Sequence, residues 1–190
     1  YLLDQNGLKV DFDAGMYLIG TPAIGNLDGD EDLEVIFSSY GSPTSDNMIW
    51  ALNSDGSAVD GFPLDLGEKV KIGVALADFN GNGKDDIVVG TDDDNIHLYY
   101  DDGSEAPGFP YQAGDRIQSA PAILDVNGEK VIFAGSWDNN LYAINSDGSL
   151  RFSVTATNKV NTSPAFLKHN STFYVFFSDD SGILYGVDME

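Results

Sequence analysis

The sequence predicts an all-β fold, a β-propeller of about four blades with four antiparallel strands in each. Three landmarks recurring in phase predict it. A turn recurs as "LDQNG" (3–7), "LNSDG" (52–56), "YYDDG" (99–103) and "INSDG" (144–148), its glycines Gly7, Gly56, Gly103 and Gly148 lying 49, 47 and 45 residues apart. A second landmark runs "TPAIGN" (21–26), "GVALAD" (73–78), "SAPAILD" (119–125) and "TSPAFLK" (162–168). The third is a strand rich in Val, Ile and Phe: "EVIFSSY", "DIVVGT", "KVIFAGS" and "FYVFFSD".

Each unit therefore opens on a short strand, crosses a loop to the Val/Ile/Phe strand, and turns into an alternating third strand such as "MIWALN", "NIHLYY" or "NLYAIN". The Asp-Gly turn follows, read as a type I′ hairpin because both of its central residues accept positive φ. A fourth, outer segment such as "LRFSV" (150–154) closes the unit. No segment keeps a 3.6-residue period, which excludes long amphipathic helices. A single blade cannot bury both faces, so blades must stack. A β-sandwich with coincidental turns is the competing architecture, and three landmarks in register argue against it.

The blades fall at approximately 1–17 (partial), 18–67, 68–114, 115–157 and 158–190 (partial). Tyr1 aligns with Tyr142, and the C-terminal "ILYGVDME" aligns with "NLYAINSD". An open arc cut from a larger ring is expected. The alternative is a closed small ring in which residues 8–12 supply the last outer strand. The chain begins without Met or a signal-like segment, as a processed or trimmed piece would.

The 190 residues, 42% of them hydrophobic, suffice for a sizeable core. The 31 acidic residues against 9 basic ones give a net charge of −22. Coulomb repulsion opposes nucleic acid and anionic membrane surfaces, and leaves metal cations, basic proteins and neutral sugars open. There is no cysteine and hence no disulfide framework. No apolar run approaches the ~20 residues needed to span a bilayer.

Two segments carry metal-ligand chemistry, "NLDGDEDLEVIF" (26–37) and "DFNGNGKDDIVV" (78–89). Oxygen-bearing side chains fall at positions 1, 3, 5 and 9 of each loop: Asn26, Asp28, Asp30 and Glu34 in the first, Asp78, Asn80, Asn82 and Asp86 in the second. Asp32 and Lys84, at position 7, would offer backbone carbonyls. Hard Ca²⁺ takes about six to eight oxygens of mixed type. Gly29, Gly81 and Gly83 let the loops coil round a point, while Glu31, standing where the second loop has Gly83, is expected to need a conformation glycine prefers. The competing reading is a solvated Asx turn.

The spacing resembles the calcium loop of FG-GAP (VCBS) repeats, D-x-N-G-D-G-x-x-D followed by an apolar strand. That family is found in integrin α-subunit propellers and many secreted microbial proteins. The resemblance implies a propeller with two structural Ca²⁺ ions between first and second strands. The stretch "AGSWDNNLYAINSDGSLRFSV" (134–154) resembles PQQ-like propeller repeats instead. The third and fourth copies, "DVNGEKVIF" and "KHNSTFYVF", are shortened or carry Lys130, Lys168 and His169 where acids belong, so no Ca²⁺ is expected there.

"TDDDN" (91–95) and "DDGSE" (101–105) read as solvated turns, and His97 as a packing or edge residue. "GNGKDD" (81–86) fails as a phosphate loop, because Asp85 follows Lys84 where Ser or Thr is required. "GFP" at 61–63 and 108–110 predicts a buried Phe beside an edge-strand Pro. Trp50, Tyr99, Tyr142 and Tyr185 read as packing between blades first, and as a sugar-stacking platform second. Asn161 and Asn170 open glycosylation sequons, a weak sign of secretion.

The expected function is a non-catalytic, extracellular or cell-envelope calcium-binding module for protein or glycan interaction, adhesion or scaffolding. Its end blades would meet either another copy, edge to edge, or the remaining blades of a longer chain. The alternative is the propeller part of an enzyme, a polysaccharide lyase or a quinone-dependent dehydrogenase. Only nine scattered Lys/Arg argue against a lyase site in this segment.

Overall fold

The computed structural model describes residues 2–4, 7–41 and 47–189, and no helix occurs among them. Short β-branched runs bounded by Gly, Asp and Asn make strands, and each strand pairs with its sequence neighbour. The strands β1 (Leu2–Asp4) and β2 (Gly7–Val10) form a two-stranded sheet. The first full blade comprises β3 (Ala23–Gly25), β4 (Glu34–Ser39), β5 (Met48–Leu52) and β6 (Leu64–Asp65). The second comprises β7 (Ala75–Ala77), β8 (Asp86–Gly90), β9 (Asn95–Tyr99) and β10 (Tyr111–Gln112). The third comprises β11 (Ala122–Val126), β12 (Glu129–Gly135), β13 (Asn140–Asn145) and β14 (Leu150–Thr155). The last sheet has three strands, β15 (Ala165–His169), β16 (Thr172–Ser178) and β17 (Leu184–Asp188). All pairings are antiparallel, and among the described residues no sheet closes on itself, which fits an open arc of blades.

The Asp-Gly turns differ from the type I′ expectation. Asp55, Asp102 and Asp147 keep ordinary φ, and only Gly56, Gly103 and Gly148 are positive, at 87°, 81° and 81°. The Gly56 N–H donates to the Asn53 carbonyl and the Asn53 N–H to that of Ser57, and the same pair recurs at residues 100–104 and 145–149. Each is a longer turn ending in one left-handed glycine. The reason lies in the side chains: the Asp carboxylate accepts the N–H and hydroxyl of Ser57, Ser104 or Ser149, which replaces a second left-handed residue. The two-residue turn with both φ positive is Asn127–Gly128, between β11 and β12. In the first copy of the turn, Gln5 and Asn6 lie outside the described residues.

Three apolar cores lie between consecutive blades. Strand β8 shows how: Ile87 and Val89 enter the core shared with the first blade, and Val88 enters the one shared with the third. The period-2 pleat thus serves two interfaces with one strand. Tyr99, Tyr142 and Tyr185 pack against the first, second and third cores, and Trp50 lies edge-on to Phe12 and parallel to Phe37. Phe62 and Phe109 of the "GFP" triplets are buried, each followed by a cis proline at the start of a short outer strand.

The linkers between blades tie them at one rim. Asp92, Trp137 and Asp180 donate their N–H groups to the carbonyls of Lys69, Arg116 and Lys159, at 2.8, 3.0 and 3.0 Å. Lys71 adds an ion pair to Asp92, and Lys159 lies over the Trp137 ring. The loops from first to second strands and the Asp-Gly turns share the opposite rim, where both candidate metal loops lie.

Candidate metal centre

Each candidate loop is built on a ladder in which side-chain oxygens accept backbone N–H groups two to five residues on, the shorter of them as Asx turns do. In the first, Asn26 Oδ1 accepts from Gly29, Asp28 from Asp30, and Asp30 from Asp32, at 2.6, 3.1 and 2.7 Å. In the second, Asp78 accepts from Gly81, Asn82 and Gly83, Asn80 from Asn82, and Asn82 from Lys84. Gly29, Gly81 and Gly83 hold φ of 84°, 78° and 86°, as the coiling requires.

Glu31 does not follow the expectation set for it and keeps an ordinary φ. The leading residue explains the difference. Asp78 has a second carboxylate oxygen to receive the Gly83 N–H at 2.9 Å. Asn26 has one oxygen, already held by Gly29, and its amide donates to the Asp30 carbonyl at 2.7 Å.

Position 9 closes both loops from below. Glu34 is buried and accepts the Leu27 N–H at 2.7 Å. Asp86 is fully buried and accepts from Phe79 at 2.7 Å and from Asp101 at 3.0 Å. Burial pushes the Glu34 carboxyl above its ordinary range, and the nearby charges of Asp28 and Asp30 push the same way. Burial likewise raises Asp86, against the pull of its N–H donors. Burial also acts upward on Asp78, yet its three N–H donors together hold it below the ordinary value.

The loops differ in what they gather. In the first, carboxylate oxygens of Asp28, Asp30 and Glu34 all lie within 4.8 Å of one another, and no other such trio of Asp, Glu or His side chains occurs among the described residues. That separation suits one ion with oxygens at about 2.3–2.6 Å. The second loop has two carboxylates, Asp78 and Asp86, and two amides. Its Lys84 ammonium pairs with Asp101 at 3.1 Å, and the Asn82 amide donates to the same carboxylate at 2.7 Å.

Two residues outside the 1, 3, 5, 9 pattern shape the site. Asp85 accepts the Asn26 N–H at 3.0 Å and donates its own N–H to the Asn26 carbonyl at 2.7 Å, joining the two loops across the blade boundary. Asp101 was expected in a solvated turn, but is half-buried and binds Asn82, Lys84 and Asp86 through its side chain and N–H. The signal for it was topological: in a four-stranded blade the third turn lies beside the first loop. On the other rim His97 is buried, with Nδ1 2.6 Å from Glu105 and Nε2 3.2 Å from Glu68. It joins its strand to the preceding linker.

Stacked four-stranded sheets with acidic loops between first and second strands define a β-propeller of the acidic-loop type. Residues 26–89 match the family model of the FG-GAP-like repeat, a span that covers both loops. That stretch, about a third of the chain, is similar to FG-GAP-like repeats. Among solved structures the chain is similar to BamB from Moraxella catarrhalis, with TM-score 0.68 and 17% identity over 94% of this chain and 48% of that one. It is also similar to the computationally designed Ika4 protein, with TM-score 0.64 and 16% identity over 92% of this chain and 96% of that one. The designed Ika8 protein gives TM-score 0.61 and 17% identity over 86% and 45%. The chain thus spans about half the BamB chain. A comparison with the curated proteins finds no match. No helix among the described residues is long and apolar enough to cross a membrane.

Proposed function

We propose that the protein is a non-catalytic, calcium-binding propeller module that presents a rigid rim to a protein or glycan outside the cell or at its envelope. The observation that carries the reading is the convergence of Asp28, Asp30 and Glu34 in the first loop. Like charges held together against burial favour a divalent cation, and FG-GAP-type repeats span this loop and the next. A bound Ca²⁺ supplies charge neutralisation and a fixed centre for the loop.

The chain's own residues do the rest. Asp28 and Asp30 offer carboxylates from the exposed side, Glu34 offers one from beneath, and Asn26 and the Asp32 carbonyl complete the oxygen set. In the second loop Asp78, Asn80, Asn82, Asp86 and the Lys84 carbonyl would serve, with the Lys84 ammonium drawn aside by Asp101. The Asp85–Asn26 pairing links the two loops, so ordering one stiffens the other. With −22 net charge, the partner is a neutral glycan or a basic protein surface, and not nucleic acid.

Calorimetry on chelator-stripped protein tests this. Ca²⁺ at about 100 times its dissociation constant stabilises the fold by about 2.7 kcal/mol per site. Asp30→Ala, on the exposed side of the first loop, removes one site's share and leaves the apo transition close to wild type. An apo transition that Ca²⁺ leaves unmoved would falsify the reading.

A further inference from the structure

We infer that cation binding at the two loops is ordered and cooperative, the first loop before the second, with Asp85 as the positioning residue that couples them. The coupling rests on the calcium reading above and adds to it an order, a sign and a route. The route is a single peptide unit. In the second loop the Lys84 carbonyl stands at position 7, and the N–H of the same peptide unit belongs to Asp85. That N–H donates to the Asn26 carbonyl at 2.7 Å, and the Asn26 N–H donates back to Asp85 Oδ2 at 3.0 Å. Asn26 is position 1 of the first loop. A peptide unit is planar, so the bond that holds the Asp85 N–H also sets where the Lys84 carbonyl points. Whatever holds Asn26 still therefore orders an oxygen of the neighbouring loop.

Two glycines make room for this contact. A Cβ at Gly25 would lie 2.5 Å from Asp85 Oδ2 and 2.7 Å from Leu76 Cδ1, so the bare backbone admits the carboxylate. A Cβ at Gly29 would lie 3.1 Å from Lys84 Cε, because the Lys84 stem crosses the first loop while its ammonium pairs with Asp101. Among the described residues no such backbone pairing joins the second loop to the third blade.

The order follows from charge. The first loop gathers three carboxylates, Asp28, Asp30 and Glu34, within 4.8 Å. The second has two, Asp78 and Asp86. The Lys84 ammonium lies beside it on Asp101, and Lys130 of the third blade adds a positive charge that acts on Asp78. A divalent cation is therefore drawn first to the first loop. The sign follows from preorganisation. An oxygen already held in place has less freedom to lose on binding, so filling the first loop raises the affinity of the second. By linkage the second raises the first by the same factor. Repulsion between the two bound charges opposes this, and salt screens it over about 8 Å at physiological ionic strength.

Ca²⁺ titration of the chelator-stripped 190-residue chain tests the coupling, followed by calorimetry and by the amide NMR signals of Gly29 in the first loop and of Gly81 and Gly83 in the second. Gly29 should respond at lower Ca²⁺ than Gly81 and Gly83. Asp30→Ala, which disables the first loop, should weaken binding at the second by at least ~5-fold at physiological salt. In an Asp85→Ala background the same Asp30→Ala change should leave the second loop's affinity where it was, an effect that a merely structural role for Asp85 does not produce. Asp85→Asn keeps an oxygen for the Asn26 N–H and should restore the coupling. Equal responses of Gly81 and Gly83 with and without Asp30→Ala overturn the coupling and leave the calcium reading standing. A second loop that fills first overturns the order. If neither loop responds, the calcium reading fails and the coupling falls with it.

Discussion

At the scale of single residues, the position-9 acids do two jobs that pull against each other. Asp86 is fully buried and holds the N–H groups of Phe79 and Asp101. It is thus a structural anchor even without a metal. Asp86→Ala leaves two half-buried donors without their partner and should cost about 1–3 kcal/mol in urea unfolding of the apo protein. This sets it apart from Asp30→Ala, whose effect appears only when Ca²⁺ is present. The Asp-Gly-Ser turns make a pH prediction. Hydroxyl and N–H donation from Ser57, Ser104 and Ser149 holds the carboxyls of Asp55, Asp102 and Asp147 below their ordinary 3.8. Their contribution to stability is therefore complete above pH 3.8 and is lost as pH falls through the lower folded-state values. Carboxyl NMR titration should find these three among the last to protonate, and Ser149→Ala should return Asp147 toward 3.8.

At the scale of strands, inner positions decide the energetics because both faces of a middle strand are covered. Ile132 of β12 is 0% exposed, packs toward the second blade, and has Val131 and Phe133 facing the last one. Ile132→Ala should lose about 2–5 kcal/mol, measured by urea unfolding, through lost burial and the cavity left between sheets. Such strands were legible in the sequence, since continuous Val/Ile/Phe runs between Gly and Asp clusters have few other outcomes. The outer strands were less so: "LRFSV" gives the six-residue β14, whereas β6 and β10 shrink to two residues beside Pro63 and Pro110, which have no N–H to pair. At the site, ligand spacing and glycine positions could be read directly. The Asp85 bridge, the Asp101 contacts and the ordinary φ of Glu31 could not, because each depends on a neighbouring loop or on one missing carboxylate oxygen.

At the scale of the whole molecule, the arc is a row of units, each stabilised by its neighbours. Stability in such a row is the sum of unit and interface contributions, so it is lowest where a unit has one neighbour. The second and third blades are covered on both sides, and their middle strands β8 and β12 hold the fully buried positions Ile87, Val88, Val89, Val131, Ile132 and Phe133. The last blade is covered on one side, and three of the five residues of β17 are exposed. Hydrogen exchange should therefore fall into steps along the chain. Amides of β8, β12 and β13 should exchange only through global unfolding, and those of β15 and β17 through local opening at lower free energy. Uniform protection across all the strands would mean that the blades unfold as one cooperative block, and the neighbour-by-neighbour account of this arc would be wrong.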